Sequence, residues 1–171
     1  LIFSKAFVIF VYIGIDLSDK QLKKAQDKSQ KENSIFINSN LSSIPLEDNS
    51  VDLIVSAWVL GTMFDLEERE RCLNELKRVL KIDGSIILVE NAEDSEFEII
   101  RNHHLEIKTK SYNNWIKDHG FYEIENINTY FNFQDIKTAK ECFEVIYGEE
   151  IASKINNNKI EHKIVIFKFD K

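Results

Sequence analysis

Apolar residues run from Val11 to Ile15 and stop at Asp16, the pattern of a parallel strand buried on both faces. Ser18, with Gln21 three positions on, has the spacing of a capping box and predicts a helix directly after that strand. Shorter apolar runs at Ile35–Ile37 and Val51–Ala57 predict two more strands, joined by a loop, the second entered through the turn-forming Asp48-Asn49-Ser50. Asp65 with Glu68 caps a further helix, whose apolar face is Cys72, Leu73, Leu76, Val79 and Leu80 and on whose wet side Glu67 pairs with Arg71. Asp83-Gly84 breaks it, and Ser85–Glu90 reads as a fourth buried strand. Ser111–His119 predicts a short helix stopped by Gly120, Phe121–Phe131 a strand, Thr138–Ile155 a helix and Ile160–Phe169 a last strand. Strands alternating with helices specify an α/β fold, a mostly parallel sheet flanked by helices, with one of the last two strands antiparallel at the sheet edge.

Composition narrows the class. The chain has 171 residues, 43% apolar and 30% charged, with one proline and five glycines, so it reads as a single domain over 1–171 with no linker. Its 22 Lys and Arg against 29 Asp and Glu give a net charge of −7 and no basic block, so no nucleic-acid partner is expected. The apolar stretch Ala6–Ile15 is too short to span a bilayer, so no membrane role is expected either. Cys72 and Cys142 stand far apart with no zinc-type spacing, which predicts no metal site and fits a reducing, cytoplasmic setting.

Ligands of open parallel sheets bind beyond the carboxyl ends of the strands, and Asp16 is placed there; by itself it serves equally to cap the next helix. Three segments in order sharpen the reading: Gly14-Ile15-Asp16-Leu17-Ser18, then Ile44-Pro45-Leu46-Glu47-Asp48-Asn49-Ser50-Val51-Asp52, then Glu75-Leu76-Lys77-Arg78-Val79-Leu80-Lys81 ahead of Asp83-Gly84. Together they resemble the class I S-adenosylmethionine-dependent methyltransferases of the small-molecule type, whose fold is Rossmann-like. The resemblance implies S-adenosyl-L-methionine as cofactor and methyl transfer to a small-molecule acceptor.

It also assigns positions. Asp16 would hold the ribose hydroxyls, Leu17 and Leu41 would pack on the adenine, and Asn40, where the family usually carries Asp, would accept from the adenine amino group through its amide oxygen. Ala57 would meet the methionine part of the cofactor, and Trp58 either lines the acceptor pocket or belongs to the core. His103, His104 and Tyr112, after the fourth strand, are candidates for handling the acceptor, or residues of a polar loop. No catalytic residue is assigned. The acidic stretch Glu90–Glu98 reads as a solvated loop and helix start, or else as a face for a cationic substrate, His119 as a helix C-terminal residue interacting with the dipole, and His162 as a strand residue without a role.

The family's first strand and Gly-rich turn have no counterpart, since Gly14 is the only glycine before Gly61. The chain therefore reads as truncated at its N-terminus, with Leu1–Phe10 matching the helix after that turn and Phe7–Tyr12 available to patch the gap. An unpaired central edge would favour self-association. Two other readings stand beside the enzyme: a non-catalytic remnant that binds no cofactor, and a nucleotide-dependent oxidoreductase on a similar sheet.

Overall fold

The computed structural model describes residues 10–29, 33–101 and 103–171, with backbone alone over 103–107. Most of the expectations for Leu1–Phe10 and for Phe7–Tyr12 lie outside the described residues. Six strands and six helices follow in the order β1 (Tyr12–Asp16), α1 (Asp19–Lys28), β2 (Ser34–Asn38), β3 (Val51–Ala57), α2 (Leu66–Val79), β4 (Leu80–Asn91), α3 (Glu96–Arg101), α4 (His103–Asp118), β5 (Tyr122–Asn132), α5 (Ile136–Tyr147), α6 (Glu149–Ser153) and β6 (Lys159–Asp170). A short 3₁₀ turn at Leu60–Thr62 links β3 to α2.

The strands form two sheets, a parallel pair β1-β2 and a four-stranded sheet ordered β3-β4-β6-β5, in which β3 and β4 are parallel and β6 runs against both its neighbours. The antiparallel strand is thus β6, one position in from the edge, with β5 outermost. Composition accounts for this. The buried positions of β6, Ile160, His162, Val165 and Phe167, fall on both of its faces, whereas nearly all of β5 is exposed and carries Glu123, Glu125, Asn126 and Asn128, residues suited to an edge. Among the described residues no strand joins the two sheets.

In β6 the buried positions Ile160 and His162 differ in parity from Val165 and Phe167, so the strand offers its two halves to opposite faces. One core joins Val165 and Phe167 to Ile86 and Leu88 of β4, to Cys72, Leu73, Leu76 and Val79 of α2, and to Tyr112 and Ile116 of α4. The other gathers Phe97, Ile100, Ala139, Phe143 and Ile160 under α3, α5 and α6. Each fully buried aliphatic side chain contributes roughly 1.5–3 kcal/mol.

Several boundaries differ from the sequence reading. Helix α2 ends at Val79, and β4 begins at once with Leu80 paired to Val51; Lys81–Gly84 then bulge before pairing resumes at Ser85. Gly84 is required there because an added Cβ would meet Leu80 Cδ1 at 2.8 Å and the Lys81 carbonyl at 2.9 Å. Helix α4 starts well before Ser111, at His103. The predicted helix 138–155 is divided at Gly148, whose φ of 88° belongs to no helix and favours glycine.

Candidate functional site

Where β1 ends at Asp16 and β3 at Ala57, a cavity of about 380 Å³ opens between the two sheets. Asp16, Leu17, Asn40, Leu41 and Ala57 all line it, with Ile15, Ile44 and Ser56. Local bonds hold this rim in place. Asp16 Oδ1 accepts from the Ser18 N–H at 2.7 Å, and Ser18 caps α1 by accepting from the Gln21 N–H, so one oxygen of the carboxylate serves the strand-to-helix turn. Asn40 Oδ1 accepts from the Ser42 N–H at 3.0 Å, an Asx turn that orders the loop and leaves the oxygen one further lone pair. The Ser56 hydroxyl is buried in the wall and has no partner among the described residues.

The loop from Ile44 to Asp48 is clamped by a residue whose part could not be read from its own segment. Arg78, on α2, donates to the carbonyls of Ile44 and Leu46 at 2.9 and 2.8 Å, to Asp48 at 2.7 Å and to both oxygens of Glu75. Glu75 in turn accepts from the Ile44 N–H at 3.0 Å, and the Arg78 guanidinium beside it holds its carboxyl below the usual range. Two of the three sequence segments are therefore halves of one contact, which places Ile44 and Leu46 in the cavity wall.

A second cavity, of about 500 Å³, lies on the other side of the chain that leaves β3. Trp58 makes the division. Its φ of 52° turns the backbone so that Ala57 and Val59 line the first cavity and Trp58 the second. The indole N–H donates to Asn91 Oδ1 at 2.8 Å, and the ring is half exposed, a pocket wall and not core.

At the end of β4 the same cavity reaches Glu90, which is 3% exposed and accepts from the Tyr112 hydroxyl at 2.7 Å. Burial pushes the Glu90 carboxyl up to about 7, against the opposing pull of the Tyr112 bond and of Arg69. Burial also pushes the Tyr112 phenol up, helped by the charge of Glu90. Buried Arg69 lies 5.1 Å from the Tyr112 ring centre and 5.2 Å from that of Trp115, and its Nε donates to the Met63 carbonyl at 3.1 Å. Gly61 lets the groups approach: a Cβ there would stand 3.1 Å from Glu90 Oε2 and 3.2 Å from Tyr112 Cε1.

The acidic stretch after β4 is accordingly not a solvated loop. Besides Glu90, Glu98 is fully buried, accepting from Asn91 and Arg101 at 2.8 Å and from Thr109 at 2.9 Å. These partners satisfy the desolvated carboxylate, a distinction from solvated acids that needs the tertiary contacts. His162 is buried beneath Phe131, with ring centres 4.7 Å apart, and bonds Asn91 Oδ1 at 3.0 Å; burial lowers its pKa. His119 meets the Trp115 carbonyl through Nδ1 at 2.6 Å and Glu70 through Nε2 at 3.0 Å, tying the end of α4 to α2. His103 and His104 fall on the backbone of α4, and their side chains lie outside the described residues. Cys72 and Cys142 are both free, no group of metal-binding side chains occurs among the described residues, and no helix among them is long and apolar enough to cross a membrane.

The methyltransferase domain family matches residues 2–88. Over 83 residues the chain is 34% identical to the U6 snRNA (guanine-N(2))-methyltransferase THUMPD2 of Bos taurus, covering 46% of this chain and 17% of that protein. Over 90 residues it is 30% identical to the ubiquinone/menaquinone biosynthesis C-methyltransferase UbiE of a Shewanella species, covering 50% and 34% respectively. The chain thus spans about a third or less of the curated relatives it matches. Among solved structures, the YcgJ protein of Bacillus subtilis superposes with a TM-score of 0.64 at 15% identity, over 93% of this chain and 81% of that one. The N-methyltransferase NodS of Bradyrhizobium japonicum, solved with S-adenosyl-L-homocysteine, superposes at 0.54 and 12% identity, over 94% and 66%. At those identities the superpositions show the Rossmann-like fold.

Proposed function

Because the chain belongs to the methyltransferase domain family, we propose that it binds S-adenosyl-L-methionine in the cavity between β1 and β3 and takes part in methyl transfer to a small-molecule acceptor. One observation carries this reading: Asp16, Leu17, Asn40, Leu41 and Ala57, which are distant in sequence, line one cavity at the carboxyl ends of parallel strands. The donor set suits the cofactor. Asp16 offers a carboxylate oxygen to ribose hydroxyls, Leu17 and Leu41 offer apolar faces to the adenine, Asn40 offers an amide beside it, and the Ser56 hydroxyl, without a partner among the described residues, supplies a further polar group in the wall.

When bound, the cofactor supplies an electrophilic methyl group on a sulfonium. The chain's own work is then to align the acceptor with that carbon and keep water out, with a base needed only for acceptors that lose a proton. A small acceptor is favoured over nucleic acid by the net charge of −7 and by the second cavity beside Trp58, although the name of one relative includes an RNA substrate.

Calorimetric titration with S-adenosyl-L-homocysteine tests the assignment. The Asp16→Ala variant should bind about 2 kcal/mol more weakly, roughly a thirtyfold loss, the scale of hydrogen bonds to a charged group. Equal affinities for variant and wild type would overturn the site. Binding of a nicotinamide dinucleotide in preference would favour an oxidoreductase, and absence of binding by either ligand a remnant.

A further inference from the structure

We propose that the second cavity is the acceptor site, taking a small planar anion that carries a weakly acidic hydroxyl group, with Glu90 as the residue that receives the hydroxyl proton and Lys108 as the partner of the anionic group. The assignment of a methyl acceptor to this cavity rests on the cofactor reading above; the binding chemistry does not.

The walls are aromatic and the charges lie at two places. Trp58, Phe64 and Tyr112 line the cavity, which suits a flat, conjugated ligand. Lys108 is exposed at its edge, with Nζ 5.0 Å from the Phe64 ring centre and no ion pair among the described residues. Arg69 and Arg101 also line the cavity; Arg101 is paired with Glu98, but its buried Nε has no partner among the described residues. Among the described residues Glu90 is the only acid in the lining. Arg69 stands against Glu90 and Arg101 against Glu98, so among the described lining residues Lys108 is the uncompensated charge, and it favours an anion over an ammonium ligand.

Glu90 has the properties its role requires. It reaches the cavity and is held by Tyr112, which acts as a positioning residue. Of the charged or titratable groups among the described residues, Arg69 faces it from α2 and Tyr112 from α4; its partner on β6 is the apolar Val165, and the 3₁₀ turn presents Gly61. A carboxyl poised near neutral pH can both accept and release a proton in the working range. In the transfer the acceptor oxygen forms a bond to the methyl carbon as the methyl–sulfur bond breaks. The sulfur keeps that electron pair and becomes a neutral thioether, and the hydroxyl proton passes to the Glu90 carboxylate.

The test uses the whole chain and two phenols of opposite charge, 4-hydroxybenzoate and tyramine, titrated by calorimetry at pH 6, 7 and 8. The probes' own groups ionise outside that window, near 4 and 10. 4-Hydroxybenzoate should bind at least tenfold tighter than tyramine, and Lys108→Met should narrow that gap severalfold. Its affinity should rise about tenfold from pH 6 to pH 8 as Glu90 ionises. In Glu90→Gln the rise should vanish, and in Tyr112→Phe its midpoint should move to higher pH.

Equal binding of the two phenols, no binding of 4-hydroxybenzoate, or a pH rise that survives in Glu90→Gln would overturn the proposal. Titration with S-adenosyl-L-homocysteine separates the two readings. Cofactor binding that depends on Asp16 without the phenol behaviour removes only the acceptor site; the phenol behaviour without cofactor binding removes only the methyl-transfer reading.

Discussion

Replacing Glu90 by Gln should make the protein more stable at alkaline pH. The Glu90 carboxyl is 3% exposed and its pKa is raised from 4.5 to about 7, chiefly by burial. The native state therefore holds this proton more tightly than the unfolded chain does. Below about pH 4.5 both states are protonated and there is no penalty. As pH rises from there to about 7 the unfolded chain ionises first, and stability is lost; above 7 the loss is complete at about 3 kcal/mol. Gln fills the same space, can still accept from the Tyr112 hydroxyl, and does not titrate.

Urea unfolding at half-unit steps from pH 5 to 8.5 measures the difference. Relative to Glu90→Gln, the wild type should lose about 2–3 kcal/mol over this range, most of it below pH 7. Other groups titrate in the window. Burial depresses His162, so its contribution favours the native state as pH rises, while raised Glu98 acts in the same direction as Glu90. Both are present in both proteins and cancel in the difference, provided that the substitution leaves them undisturbed. A difference that stays flat within about 0.5 kcal/mol would refute the burial argument, and with it the poise of Glu90 near neutrality.

Leu76 is 3% exposed in the core between α2 and the sheet, and Leu76→Ala should cost about 2–5 kcal/mol in the same unfolding assay. Arg78→Ala releases the Ile44–Asp48 loop from α2, so it should lower the unfolding midpoint by a few degrees and weaken S-adenosyl-L-homocysteine binding together, although Arg78 does not line the first cavity. Gly61→Ala adds a Cβ against Glu90 and Tyr112; it should weaken 4-hydroxybenzoate binding severalfold while leaving S-adenosyl-L-homocysteine binding within twofold, since Gly61 lines only the second cavity.

Local patterns determined the elements. Ser18 and Asp65 cap α1 and α2 as their spacing predicts, and β3 spans Val51–Ala57 as the apolar run does, because caps and buried strands are set by residues within a few positions of one another. The order of three short segments was enough to indicate the family. Local reasoning failed where distant residues decide. Val79 and Leu80 are equally apolar, so only the pairing of Leu80 with Val51 ends α2 there, and only the crowding by Leu80, Lys81 and Asp52 explains Gly84 inside a strand.

The site divides in the same way. That Asp16, Leu17, Asn40, Leu41 and Ala57 line one cavity follows from their places after strand ends in a fixed order. Glu90 and Glu98 could not be read in this way, because the sequence of an acid segment is the same whether water or protein surrounds it. Burial against Tyr112, Arg69, Arg101 and Thr109, contributed from three helices, converts two carboxylates that look solvated into a proton-poised group and a structural one. Desolvation depends on what the rest of the chain packs around a residue, so the tertiary structure alone decides it.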